Sequence, residues 1–362
     1  MTFGARVTAY TQDGLLPKLA DNVLRSNPFI YRTLGNAKPG RGTKIVKPIK
    51  YQVSGTAASF SGLDTFTASL TDTKVNAEFD MRGYRIPLAV GGMEVVANAV
   101  SETQITDLVR AEIEEKQAEF IDGLGTIAYG LGTGNNSKDP IGLGAIVDDG
   151  TDVSTLGGLA RSTYTIMNAT RTASGGTLTL AKLAALHSAI SDGTINSDPT
   201  IMYSNPTVWD LYENLLTPTV RENYSLTGYY DIKLTGGVVR PSEGLKGMGG
   251  FTALTYRGIP FVKDRKATAQ NIFMINEYWL QWYGWDASLF GNGYKSIAPA
   301  TSQLDSAVYN EMPSKYLGMA WSGWQVPTAN GVFGAVASLI ILGNLTSWGP
   351  SRHGRLTGIT SS

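Results

Sequence analysis

Apolar and polar positions along the chain change period several times, and each change marks an element. From Lys44 the period is two: Lys44-Ile45-Val46-Lys47-Pro48-Ile49-Lys50-Tyr51-Gln52-Val53 alternates and is rich in β-branched residues, which predicts a strand. Pro48 is expected to break strict alternation there. A Gly/Ser/Thr-rich section follows, and a second extended run goes from Val75 through Phe79 to Tyr84 and Val90. Two long strands with a polar tip predict an extended hairpin. An isolated hairpin is marginal in water, so this one is expected to lean on another surface.

Between Ser101 and Ala128 the period becomes helical. Ser101-Glu102-Thr103-Gln104 reads as a capping box. Ile105, Leu108, Val109, Ile113, Phe120, Leu124 and Ile127 then share one face. Seven acids, Glu102, Asp107, Glu112, Glu114, Glu115, Glu119 and Asp122, are opposed only by Arg110 and Lys116. At ~1.5 Å per residue such a helix is about 40 Å long, more than a domain of ordinary size needs. It reads as a spine for this subunit and its neighbours.

Before these elements, residues 1 to about 43 hold one short helix-like piece, Leu15 to Arg25, then Asn27-Pro28 and a glycine-rich basic stretch. Apolar periodicity there is too poor to fold alone, so the segment reads as an arm that needs a partner surface. Beyond the spine, Gly130–Gly134 is a loop by composition. A helix is predicted from the N-cap Thr179 through Leu180, Leu183, Leu186 and Ile190 to Asp192-Gly193. Thr200–Tyr203 reads as a strand leading to Asn205-Pro206, with Pro206 opening a helix that reaches about Leu216. Residues 217–250 read as loop. Strands follow at Ile259–Val262 and Ile272–Ile275, then the aromatic run Tyr278 to Trp285. The last strands flank Asn330-Gly331, a hairpin signal, and end at Gly343-Asn344-Leu345.

Charge alters this picture in one respect. The chain of 362 residues has 30 basic and 30 acidic residues, which disfavours a dedicated nucleic-acid binder. Yet residues 1–50 carry nine basic residues against Asp13 and Asp21, a net of +7, while the spine stretch carries −5. Opposite charge on two segments predicts that they, or their copies in neighbouring subunits, meet. Lys44, Lys47 and Lys50 on the hairpin and the acidic stripe Glu112, Glu115 and Glu119 on the spine are the candidate inter-subunit residues.

Chemical motifs are sparse. There is no cysteine, and the two histidines, His187 and His353, lie far apart; His187 reads as sitting on a polar helix face and His353 in a basic tail. Gly123-Leu124-Gly125-Thr126-Ile127-Ala128 fits a G-x-G-x-x-A pattern but closes a helix instead of following a strand, so its glycines read as the helix end. Asp148-Asp149-Gly150-Thr151-Asp152 lacks EF-hand spacing and reads as a turn. Trp279, Trp282 and Trp285 read as packing residues. No catalytic, metal or cofactor residue is assigned. The longest strongly apolar run, Val332 to Leu342, is too short to span a bilayer, and Met1-Thr2-Phe3-Gly4 lacks a signal-peptide layout, so a soluble intracellular product is expected.

The order of parts carries a resemblance. Basic arm, long hairpin, acidic spine, glycine loop, mixed α/β region and returning strand together resemble the major capsid protein of tailed bacteriophages, the Hong Kong 97-type fold. Ser61-Gly62-Leu63-Asp64-Thr65 and Ala77-Glu78-Phe79-Asp80 are similar to that family's E-loop. Gly132-Thr133-Gly134 and Pro140-Ile141-Gly142-Leu143 resemble the loop after its spine helix, and Gly157-Gly158-Leu159-Ala160-Arg161-Ser162-Thr163-Tyr164 resembles a stretch of one branch. Tyr203-Ser204-Asn205-Pro206 and Gly258-Ile259-Pro260-Phe261-Val262 look like A-domain landmarks, and Gly343-Asn344-Leu345-Thr346 like the closing P-domain strand.

The resemblance implies an α+β subunit in five parts. These are an N-terminal arm (1–43), an E-loop hairpin with flanks (44–95), a P-domain with the spine helix (96–178), an A-domain (179–325), and P-domain return strands with the C-terminal tail (326–362). It implies a non-enzymatic head-shell protein that self-assembles into hexamers and pentamers around double-stranded DNA, assembled in the bacterial host cytoplasm and found in the virion. Implied partners are a separate scaffolding protein (the arm begins almost at Met1), a portal, decoration proteins, and packaged DNA in weak non-specific contact; no membrane is involved. Two alternatives stand beside it: an encapsulin-like nanocompartment, which shares the fold, and a glycine-rich hydrolase, against which the scarcity of histidine and the lack of a nucleophile motif weigh.

Overall fold

The computed structural model describes residues 27–53, 55, 59–62, 71–93, 112, 115–116, 118–120, 122–191, 193, 196–216, 230–231, 240–241, 253–286, 295–296, 319–322, 325 and 334–360. The Leu15–Arg25 piece, the capping box at Ser101–Gln104 and the Asn330-Gly331 turn lie outside these residues. In chain order the principal elements are α1 (Pro28–Gly35), β1 (Lys44–Lys50), β2 (Lys74–Asp80), β3 (Gly83–Gly91) and α2, described from 112 to 128 with gaps. Next come β4 (Thr170–Thr172), α3 (Leu180–Ile190), β5 (Ile201–Ser204), α4 (Pro206–Leu215) and β6 (Ala253–Tyr256). The rest are β7 (Ile259–Lys263), β8 (Ile272–Ile275), β9 (Leu280–Gly284), β10 (Met319–Trp321), β11 (Gly334–Ser347) and β12 (Gly354–Leu356).

A mixed sheet in the order β6-β7-β5-β8-β12-β4 separates two cores. β5 and β8 are buried at every position and β7 at all but Lys263, because successive side chains leave opposite faces and both faces are covered. Met202, Phe261, Ile272, Met274 and Leu356 pack with Leu183, Leu186 and Ile190 of α3 and Val208, Trp209 and Tyr212 of α4. Ile201, Tyr203, Val262, Phe273 and Ile275 enter the larger second core. Local signals place the two helices: the Thr179 hydroxyl accepts from Lys182 N–H, and the Asn205 side chain accepts from Val208 N–H with Pro206 following.

The second sheet is organised on β11. Its residues 334–342 pair with β3, 339–341 with β10, and 343–347 with β9. The first nine residues alternate in burial and the last five are all buried, so the apolar run read from the sequence is a sheet strand with one covered face that becomes two. Among the described residues no helix is long and apolar enough to cross a membrane.

Five expectations are corrected here. The extended run from Val75 to Val90 is two strands: β2 pairs with β1, whereas β3 pairs with β11. The chain turns at Arg82, whose guanidinium donates to the carbonyls of Gly132 and Asp139, both at 2.7 Å. Pro48 leaves the alternation intact, since β1 keeps one register with β2 from Lys44↔Asp80 to Lys50↔Lys74. Glu78 N–H points out of the hairpin to Gly157 O (2.8 Å), which makes Val46↔Glu78 a non-hydrogen-bonded rung. Two rungs on, Pro48 therefore presents its missing N–H to the open edge and costs no ladder bond.

The third correction concerns residues 27–43, read as part of an arm without a core of its own. Phe29, Ile30 and Leu34 of α1 are buried in the larger core, and Lys38–Pro39 pairs in parallel with β9. An eight-residue helix is unstable alone. Here the chain's own body stabilises it: Arg32 makes a two-pronged contact with Glu277 at 2.5 and 2.6 Å, and the Asp264 carboxylate accepts from Phe29 N–H and Tyr129 O–H. Burial pushes the Asp264 carboxyl above its usual range. Fourth, Gly123 and Gly125 lie inside α2, which continues to residue 128. A Cβ at Gly123 would meet the Tyr84 hydroxyl at 2.1 Å, and one at Gly125 the Asn27 side chain at 2.7 Å, so close packing explains both. Within 217–250, read as loop, Tyr230–Asp231 pairs with Arg240–Pro241.

Candidate assembly surface

The hairpin β1–β2 is a two-stranded sheet with one face on the body and one face open. Ile45, Ile49, Ala77 and Phe79 enter the larger core. Lys44, Val46, Pro48 and Lys50, with Lys74, Asn76, Glu78 and Asp80 opposite, line the exposed face. The three candidate lysines therefore divide between faces. Lys44 is outward and held within the chain, 2.9 Å from Glu78 and 3.8 Å from Asp80. Its pKa is raised by the Glu78 hydrogen bond and by the charges of Glu78 and Asp80. Lys47 is inward, donates to the Tyr283 hydroxyl at 2.5 Å, and lies 4.8 Å from the ring centroids of both Tyr283 and Trp348. Lys50 is outward, and its cross-strand neighbour is Lys74.

The small hairpin Thr155–Leu156/Leu159–Ala160 supports β2 from the side. Its turn residues Gly157 and Gly158 have φ of 59° and 76°, a conformation glycine adopts at little cost. Gly157 abuts Ala77 and Phe79 and offers its carbonyl to Glu78 N–H. Tyr164 adds an edge-on ring contact to Tyr51, 5.3 Å between centroids.

On α2, Glu115 and Glu119 are exposed and Glu112 is half-buried. Lys116 bonds Glu119 at 2.8 Å, one turn away. Phe120 and Leu124 face inward, where Phe120 stacks on Tyr84 with 5.4 Å between centroids. Within the chain no ion pair joins the candidate lysines to these acids among the described residues; Lys44 pairs instead with Glu78 and Asp80.

The acidic turn is a buried ionic clamp. Asp148 Oδ2 accepts from the N–H groups of Gly150, Asp152 and Val153 at 3.0–3.1 Å, as a turn-capping carboxylate does. Arg355 bonds Asp148 and Asp152, Arg171 reaches both, and the buried Arg161 donates to the carbonyls of Asp148 and Ala145. Arg171 and Arg355 already occupy the carboxylates that a cation would need, with Arg161 3.8 Å from Asp148 Oδ2. Sequence reasoning passed over these arginines because only the fold brings residues 161, 171 and 355 to the turn.

His353 corrects another expectation. It is fully buried, not in a basic tail, and desolvation lowers its pKa to about 3. Its Nδ1 accepts from Asn276 N–H at 3.2 Å, which puts the proton on Nε2, 3.1 Å from Ser347 Oγ. An imidazole that donates to a serine cannot also take that serine's proton, so this Ser–His contact is structural and not a nucleophile–base pair. His187 is half-buried on α3, with its pKa lowered by burial. Among the described residues no group of three or more metal-ligating side chains gathers. Trp282 and Trp285 are buried in the larger core, and the half-buried Trp279 donates to Asn196 O, so the aromatic run is packing.

With this geometry established, comparison with known proteins assigns the fold. No family model matches the sequence, and no curated protein does. Among solved structures the chain is similar to the protein of the cyanophage A-1(L) capsid asymmetric unit, with a TM-score of 0.60 at 14% identity over 93% of each chain. The Gordonia phage Cozz structure aligns with a TM-score of 0.47 at 10% identity, over 92% of this chain and 87% of that one. The holo-SrpI encapsulin complex of Synechococcus elongatus PCC 7942 gives 0.42 at 11%, over 89% and 84%. The first carries the assignment; the other two scores are too low to add to it. This chain has the mixed helix-and-sheet fold of a phage capsid protein, as its sequence resemblance implies.

Proposed function

We propose that this chain is the head-shell subunit of a tailed bacteriophage, built on the Hong Kong 97-type plan and assembling into hexamers and pentamers around double-stranded DNA. The observation that carries the reading is the likeness to the cyanophage capsid protein over 93% of both chains. In this reading 44–95 is the E-loop hairpin with its flanks, 96–178 the P-domain with its spine, 179–325 the A-domain, and 326–362 the P-domain return strands and tail. The arm spans 1–43, with residues 27–43 docked on the subunit's own core. The role is mechanical and needs no cofactor: many weak contacts, repeated over a closed lattice, retain the genome. Hairpin lysines and spine carboxylates of neighbouring copies contribute to those contacts. A scaffolding protein, a portal and decoration proteins complete the assembly in the host cytoplasm, and the product resides in the virion.

Electron microscopy of the protein expressed alone tests this. Closed shells or capsomer rings are expected, and a small discrete oligomer overturns the reading. Deleting residues 55–71 should leave a folded subunit that no longer forms shells.

A further inference from the structure

The two large sheets of this subunit meet at a narrow junction. The chain passes directly between them twice, at 276–279 from β8 to β9 and at 348–353 from β11 to β12. The two passages lie side by side: Asn276 N–H donates to His353 Nδ1 at 3.2 Å, and the rings of Trp279 and Trp348 meet with 6.2 Å between centroids. Two short connections in one place are the covalent layout of a hinge.

α1 crosses that junction and holds both sides of it. Toward the central sheet, Phe29 N–H donates to Asp264 in the turn after β7, and the Phe29 ring stands edge-on to Tyr203 of β5 with 5.5 Å between centroids. Toward the sheet on β11, Gln281 Nε2 of β9 donates to Asn36 O, and Lys38–Pro39 pairs with Tyr283 and Gly284. On the junction itself, the Arg32 guanidinium forks onto Glu277, whose Oε2 also accepts from Thr200 Oγ1 at 3.3 Å. A forked, charge-assisted pair fixes direction as well as distance. Apolar packing is incomplete on the second side, where a small cavity lined by Ile30, Leu34, Leu124, Trp282, Ile341 and Leu345 is left under the helix. The polar contacts therefore carry more of the docking.

Resting on the shell-subunit reading for its consequence, we infer that α1 is a splint: it fixes the angle between the two sheets and so the curvature that the subunit brings to a shell. A chain that builds both hexamers and pentamers meets its neighbours at more than one angle, so the stiffness of this junction governs which closed shell forms.

The chain has no cysteine, so two spin labels can be placed on it cleanly. Leu180→Cys on α3 and Arg85→Cys on β3 replace exposed residues and report on opposite sides of the junction. In the unassembled subunit the distance distribution between the labels, read by pulsed electron resonance, should be narrow. Adding Phe29→Ala with Arg32→Gln should quicken hydrogen exchange at Pro28–Gly35, leave α3 and α4 protected, and shift or broaden that distribution. Where this pair of changes prevents folding, Arg32→Gln alone is read in the same way. Shells of the unlabelled variant should vary in diameter in electron micrographs where wild-type shells are uniform. An unchanged distance distribution with α1 undocked overturns the splint and leaves the shell reading standing. Unchanged exchange at Pro28–Gly35 overturns the seat assigned to Phe29 and Arg32, and uniform variant shells overturn the link to curvature. Wild-type protein that forms only a small discrete oligomer overturns the shell reading, while the spin-label distances still decide the splint.

Discussion

Arg355 Nη2 lies 3.0 Å from Asp148 Oδ1, across 207 residues of sequence, and both side chains are buried. The contact ties β12, an interior strand of the central sheet, to the turn that follows α2. Asp148 keeps Arg161 and Arg171 nearby if Arg355 is lost, but Asp152 and Asp148 then lose their strongest donor. Arg355→Met should destabilise the subunit by roughly 3 kcal/mol, in the range of a broken buried pair. The midpoint of urea unfolding measures it, and a change below about 1 kcal/mol would show the clamp to be dispensable.

His353 makes stability depend on acid. Its folded pKa of about 3 is below the ordinary 6.5, so the unfolded chain binds a proton that the native core refuses. The stability contributed by the neutral ring is complete above about pH 6.5 and is lost as pH falls toward about 3. The loss amounts to ~1.4 kcal/mol per pH unit. His353→Gln should be less stable at pH 7.5 and show a shallower decline between pH 6.5 and 4. Parallel declines in wild type and variant would contradict the assignment.

Gly343 is the floor beneath Trp282. A Cβ there would run into Cζ2 of the buried Trp282 indole. Gly343→Ala should therefore cost about 1–3 kcal/mol through overpacking, although alanine ordinarily suits a strand better than glycine. Thermal melting read through tryptophan fluorescence reports both the loss and the displaced ring.

Lys47 holds the hairpin root through one hydrogen bond and two aromatic faces. Lys47→Met keeps the aliphatic stem and removes the charge. Hydrogen exchange at residues 44–50 and 74–80 should quicken several-fold while α3 and α4 remain unaffected, since a cation–π contact contributes about 0.5–2 kcal/mol. Unchanged exchange in the hairpin would move its anchorage to Ile45, Ile49, Ala77 and Phe79.

What the sequence determined by itself was local. The Thr179 and Asn205 caps, Pro206, the apolar run Ile272–Ile275 and the alternation of β1 are statements about neighbouring residues, and the structure contains each of them. The order of such elements also carried the resemblance to a capsid fold. Tertiary structure decided the rest. Nothing near Arg82 in sequence announces that β3 leaves the hairpin for β11, because that choice depends on Gly132, Asp139 and a strand some 250 residues away. Burial of His353 and the gathering of three arginines on Asp148 are long-range in the same way. The candidate lysines show the division most plainly. Their spacing marked one basic strand, but a strand sends alternate side chains to opposite faces, and register with β2 then gave Lys44 its acids, Lys47 its aromatic rings, and Lys50 only another lysine.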